Sequence, residues 1–216
     1  MKKAAAAKRR GRPKDRQLTA RRREEILDAA TRIFAEQGYP NTDVQTAADE
    51  LGVGKGTVYR YFPTKRDLFL AAVDRGMHRL GDAVDAETTE ACDPLDKIKR
   101  GVRAYLAFFD ANPELIELLI QERAEFKRRK KPTYFEHRDT RIGPWQELFR
   151  NLIAQGRVRD VPVQRITDVI GDLLYGVIFT NFFAGRRKPF EVQADDILDV
   201  VFQGILTNRN RRGSRT

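Results

Sequence analysis

Between Thr42 and Lys65 the chain reads TDVQTAADELGVGKGTVYRYFPTK, a stretch that admits few folds. Two short helical segments flank Gly52-Val53-Gly54. Thr42 and Gln45 have the spacing of a capping box, with the threonine hydroxyl on the N3 amide and Gln45 reaching back. Ala47, Ala48 and Leu51 make the inner side of the first segment. Glycine allows the positive φ that a tight corner between helices requires. The second segment, Lys55 to Phe62, turns only Val58 and Phe62 inward and leaves Lys55, Gly56, Thr57, Tyr59, Arg60 and Tyr61 outward. Donors and aromatics facing out suit a helix that lies in the major groove of DNA. A solvated helical hairpin has the same spacing, so spacing alone leaves both readings open. Pro63 ends the segment, and Thr64 is placed to cap the next helix.

The residues go further than the spacing. LGVGKGTVYRYFPTKRDLFLAAV closely resembles the DNA-binding signature of the tetracycline-repressor (TetR/AcrR) regulators, and RREEILDAATRIFAEQGY resembles their first helix. The resemblance implies that Lys55, Gly56, Thr57, Tyr59, Arg60 and Tyr61, with Thr42 beside them, contact bases and phosphates. Lys65 would take a phosphate at the start of the following helix, where its charge and the helix N-terminus act together. Two positions depart from the pattern. Asp43 stands where a phosphate-touching hydroxyl is common and should repel phosphate, although it favours the helix dipole. Ala47 stands where a larger aliphatic is common.

The formal net charge is +10 over 216 residues, and it is unevenly placed. Up to Arg23 there are eleven bases against one acid, so the rest of the chain is close to neutral. That distribution describes a polyanion-seeking arm on a neutral globule. Residues 1–19 read as a disordered basic tail. Within it KRRGRPK resembles an AT-hook, in which Arg10 and Arg12 would lie along a narrow A·T minor groove; a plain basic tail attracted to phosphate fits the same residues. Cys92 is the single cysteine, so no intrachain disulfide is possible. The N-terminus has no apolar core of a signal peptide. The longest apolar run, 166–184, carries Asp168 and Asp172 and makes a poor membrane span. A cytoplasmic protein is expected.

The rest of the chain reads as all-α, about nine helices, with a helix-turn-helix domain at 20–66, a ligand-binding and dimerisation body at 67–208 and a polar tail at 209–216. The first helix is expected from Ala20 to Gln37 and the fourth from Thr64 to Leu80, stopping before Gly81. Asp93-Pro94 and Asn112-Pro113 each combine a cap with proline at the first helical position. Gly143-Pro144 predicts a kink or split in the helix from Tyr134 to Gln155.

His78 and His137, far apart in sequence, lack metal-ligand spacing, and no nucleophile elbow, phosphate loop or dinucleotide motif occurs. No cofactor, metal or catalytic activity is expected. The segment from Pro162 to Ala184 is apolar on most faces, which predicts burial on all sides. With the resemblance it implies a four-helix dimer interface through Leu174, Ile178, Phe179, Phe182, Val201 and Ile205. Aromatic residues are abundant in the body, and Tyr105, Phe109, Trp145, Phe149 and Tyr175 are candidates for lining an effector pocket. The resemblance implies a homodimeric repressor that binds a palindromic operator and is released by a small apolar or aromatic effector. A nucleoid-organising or division-linked DNA binder would need the same head and no effector.

Overall fold

The computed structural model describes residues 13–185 and 188–203 of the chain. Among them are nine α-helices and no strand: α1 (Pro13–Gln37), α2 (Val44–Glu50), α3 (Lys55–Tyr61), α4 (Lys65–Thr89), α5 (Pro94–Ala111), α6 (Pro113–Glu125), α7 (Thr133–Ala154), α8 (Val163–Ala184) and α9 (Phe190–Gln203). Arg10, Arg12, Ile205 and the tail at 209–216 lie outside the described residues. Two compact units divide between Ala72 and Val73, further along α4 than the 66/67 boundary expected from sequence.

The first unit closes around α1, α2, α3 and the start of α4. Ile26, Ala30, Ile33 and Phe34 are buried at helical spacing, as are Leu68, Phe69 and Ala72. Phe34 and Phe69 meet edge-to-face at 5.0 Å, and Tyr39 joins them at 5.9 and 5.1 Å. Full burial of the Phe34 and Phe69 rings is worth about 1.5–3 kcal/mol each relative to exposure. α1 begins at Pro13, so the expected disordered tail to residue 19 is helical in its last part. The long polar run of α1 carries i,i+3 and i,i+4 pairs of Arg22 and Arg21 with Glu25, which support a helix whose one face is solvated.

In the second unit α5 packs against α6, α8 and α9, and α8 packs also against α6 and α7. Asp93 caps α5, its carboxylate accepting from the amides of Leu95 and Asp96 at 3.1 Å. Asn112 acts differently. Its side-chain amide donates to the Phe108 carbonyl at 2.7 Å and so closes α5, leaving α6 without a side-chain cap. The turn from α6 to α7 is held by Glu122, which is 1% exposed and accepts from the Thr133 amide and hydroxyl and from Arg129. A buried carboxylate is tolerated there because its charge is paired and its lone pairs are used.

One helix boundary, the continuity of one helix and the burial of another differ from expectation. α4 continues through Gly81 to Thr89, because Gly81 is buried beneath Arg141 rather than ending the helix. α7 is not split at Gly143-Pro144. α8 is not enclosed: only Thr167 and Ile178 are buried, while Val169, Leu173 and Phe183 are exposed.

Candidate nucleic-acid interface and effector cavity

α2 and α3 are short, and each is placed by very few buried groups. Val44, Ala47 and Ala48 anchor α2, and Val58 alone anchors α3, with Phe62 following it. The corner between them uses Gly52 at φ 62°, a left-handed conformation in which a side chain would be strained. Thr64 caps α4 as expected: its hydroxyl accepts from the Asp67 amide at 3.0 Å and lies 2.8 Å from the Asp67 carboxylate.

With Val58 turned in, the opposite side of α3 is outward. Tyr59, Arg60 and Gly56 are exposed, and Lys55, Thr57 and Tyr61 are half-buried. The Arg60 guanidinium lies 5.9 Å from the Tyr61 ring, a cation–π spacing that steadies the side chain. Lys65 is half-buried; its ammonium donates to the Pro40 carbonyl at 3.1 Å and sits 4.8 Å over the Tyr39 ring.

Thr42 is a correction. It is 5% exposed, and its hydroxyl donates to the Gly38 carbonyl at 2.8 Å, so it neither caps α2 nor presents itself outward. Asp43 is the cap instead, accepting from the Gln45 amide at 2.8 Å. Asp43 also pairs with Lys55 at 2.6 Å. The Gln45 amide and Lys55 together hold the Asp43 carboxyl below the usual carboxylate range, and Asp43 raises Lys55.

The body contains a cavity of about 400 Å³ walled by α4, α5, α7 and α8. Of the candidates for an effector pocket, Tyr105, Trp145 and Phe149 line it; Phe109 and Tyr175 do not. Phe109 is 2% exposed and packs in the core against Tyr105 at 5.1 Å. Tyr175 belongs to a second hollow with Phe179 and Phe183, and its ring lies 4.7 Å from Tyr134. Leu174 lines the main cavity and Ile178 is buried, so neither supplies the outward face of α8. That face carries Val169, Leu173 and Phe183, and α9 adds exposed Val192, Val200 and Phe202. Phe179, Phe182 and Val201 are half-buried beside it.

Two glycines shape the cavity wall. A Cβ on Gly101 would stand 2.5 Å from the Trp145 ring, and one on Gly81 would stand 2.0 Å from the Arg141 guanidinium. Neither role is readable from sequence. The cavity also holds a hydroxyl pair that sequence reasoning missed, Tyr105 and Tyr134 at 2.9 Å. Burial pushes the Tyr105 phenol well above its ordinary range and Tyr134 up to about 12, so both stay protonated at neutral pH.

A corner of two short helices, the second anchored by one valine and offering aromatic and basic groups outward, defines a helix-turn-helix DNA-binding regulator. Residues 26–72 match the profile of the bacterial regulatory proteins of the tetR family, and over that stretch the chain is similar to them. It is 31% identical over 97 residues to the HTH-type transcriptional regulator HbdR of Aromatoleum sp., an alignment that spans 45% of this chain and 42% of HbdR. It is 27% identical over 189 residues to the HTH-type transcriptional repressor AcnR of Corynebacterium diphtheriae, over 87% of this chain and 93% of AcnR. In fold it resembles the transcriptional regulator FadR of Bacillus subtilis, with TM-score 0.72 and 18% identity over 85% of this chain and 99% of that one.

Proposed function

We propose that the chain is a homodimeric transcriptional repressor whose α3 reads a palindromic operator and whose body takes a small apolar or aromatic effector. It acts by binding, not by catalysis, on DNA in the cytoplasm. The outward set on α3 carries the DNA half of this reading: Tyr59 and Arg60 face solvent at a position stabilised only by Val58 and Phe62. Lys55, Gly56, Thr57, Tyr61 and Lys65 complete the contact surface, with the Lys65 ammonium on phosphate. Two heads related by a dyad would enter successive major grooves about 34–36 Å apart. The dyad is supported by the exposed apolar stripe on α8 and α9, which water would otherwise cover.

The cavity supports the effector half. Its volume falls within the range of about 300–1,000 Å³ common to small-molecule sites, and its largely apolar wall is interrupted by the two tyrosines and by His137, Arg138 and Arg141, which could meet a polar end of a ligand. Whichever of Tyr105 and Tyr134 donates within their pair, the other keeps its own O–H for a ligand. FadR of Bacillus subtilis, which shares the fold, was solved with stearoyl-CoA, so ligands with a long apolar chain are the first class to try. To release DNA the effector must favour the form of the dimer that does not fit the operator; equal affinity for both forms shifts nothing. A nucleoid-organising protein would share the head but would leave this cavity without use.

Selection of bound duplexes from a random pool tests the reading. A single dyad-symmetric operator, released by a cavity-filling apolar compound, is the expected outcome. Many unrelated sites and no release by such compounds would favour the nucleoid-organising alternative.

A further inference from the structure

The only two histidines of the chain meet in space. Their rings lie 4.6 Å apart, edge to face, although 59 positions separate His78 from His137. The separation in sequence argues against a shared site, but the packing of α7 beside α4 overrides it. Asp74 and His78 stand at i and i+4 on α4 and so share one face. His137, in the second turn of α7, reaches the same point: its Nε2 is 2.7 Å from the Asp74 carboxylate. The Nε2 of His78 is 3.7 Å from the other Asp74 oxygen. One ligand atom from each of the three residues falls within 4.8 Å of the others.

We propose that Asp74, His78 and His137 bind one divalent transition-metal ion of the zinc class. Two imidazole nitrogens and one carboxylate oxygen make the donor set that suits zinc, nickel, cobalt or ferrous iron, and not the all-oxygen sets of magnesium or calcium. Bonds of about 2.0–2.1 Å in a tetrahedron set ligand atoms about 3.3 Å apart. The 2.7 Å contact between His137 and Asp74 therefore opens by about 0.6 Å, and the wider separations among the three donor atoms, all within 4.8 Å, close by up to about 1.5 Å. Asp74 and His78 have room to rotate toward that geometry, because their side chains are more than half exposed. His137 is 11% exposed, so the third ligand is held by its surroundings while the other two swing. Three protein ligands leave at least one position to water. A bound ion would tie α4 to α7 beside the cavity, which His137 also lines.

An ordinary imidazole–carboxylate pair needs only one histidine, and His137 alone satisfies Asp74. The second ring, brought edge-on to the first and within reach of the second carboxylate oxygen, is what a metal site adds.

The test is titration of the full chain with Zn2+ against a chromophoric chelator, repeated with Co2+ to read the ligand type from its absorption. The expected result is one ion per chain, cobalt bands of nitrogen and oxygen ligands, and no effect of excess Mg2+. His78→Ala, at an exposed position, keeps its circular dichroism and weakens Zn2+ binding by about tenfold or more, as does Asp74→Asn. Cys92→Ser, remote in chemistry, changes nothing. Zn2+ binding that is absent in the parent, or equally tight in both His78→Ala and Asp74→Asn, overturns the proposal.

Discussion

The Lys55 ammonium lies 2.6 Å from the Asp43 carboxylate, so the first cation of the recognition helix is neutralised within the protein itself. Asp43→Asn keeps an oxygen for the Gln45 amide and so preserves the cap. It frees Lys55 for phosphate and removes a like charge from the DNA face. Affinity for duplex DNA rises several-fold at low salt, and the slope of log K against log salt steepens by about one. Titrations across a salt series measure both. An unchanged slope means that Lys55 does not reach phosphate.

The Gly101–Trp145 contact gives a prediction about the cavity. In Gly101→Ala the new methyl stands 2.5 Å from the indole, which must move into the cavity or push α5 away. The overpacking costs about 1–3 kcal/mol. Trp145 is the only tryptophan, so its emission reports the displacement directly. Denaturation followed by fluorescence checks both; an unshifted spectrum at parental stability contradicts the packing described.

How much of this was legible in the sequence follows from the range of the interactions. Val58 and Phe62 inward with Tyr59 and Arg60 outward is a period of 3.6 residues, and the caps at Thr64 and Asp93 are local as well. All of these could be read directly. The cap of α2 falls one residue later than the capping-box spacing predicts, because the Thr42 hydroxyl is turned to the Gly38 carbonyl and Asp43 accepts from the Gln45 amide. Gly81 reads as a helix stop until Arg141 is seen to fill the space of its missing side chain, and Gly101 gives no signal of its own until Trp145 is seen to do the same there. On α8 nearly every face is apolar, so periodicity could not separate inward Leu174 and Ile178 from outward Val169 and Leu173. The meeting of His78 with His137 is tertiary and leaves no trace in spacing.

Alkaline pH weakens the body through the tyrosine pair. An unfolded tyrosine titrates near 10, whereas Tyr134 is pushed up to about 12 by burial, and Tyr105 shifts the same way. Below pH 10 both states are protonated and nothing is lost. Between about 10 and 12 only the unfolded chain releases its proton, so stability falls by about 1.4 kcal/mol per pH unit for Tyr134. Urea denaturation from pH 9 to 11 shows the slope. In Tyr134→Phe the slope is shallower by that amount; an identical slope rejects the assignment.

The proposed assembly rests on the outer stripe of α8. Leu173→Glu with Phe183→Glu places charge on side chains that are 37% and 70% exposed in the protomer. The protomer therefore keeps its helicity, and the dimer dissociates. Sedimentation at micromolar concentration distinguishes the two masses. A parent that is already monomeric, or a charged variant that stays dimeric, places the interface elsewhere.

The claim that α3 reads DNA is tested most directly by equilibrium binding of the parent, Tyr59→Ala and Lys65→Ala to the selected operator and to a scrambled duplex. Tyr59 is 37% exposed and is not among the buried anchors of α3, so folding and dimer mass stay unchanged. Tyr59→Ala loses about 1–3 kcal/mol on the operator and little on the scrambled duplex, because a base contact specifies. Lys65→Ala weakens both duplexes alike, because a phosphate contact positions without specifying. If both variants hold the operator as tightly as the parent does, α3 is not the recognition helix.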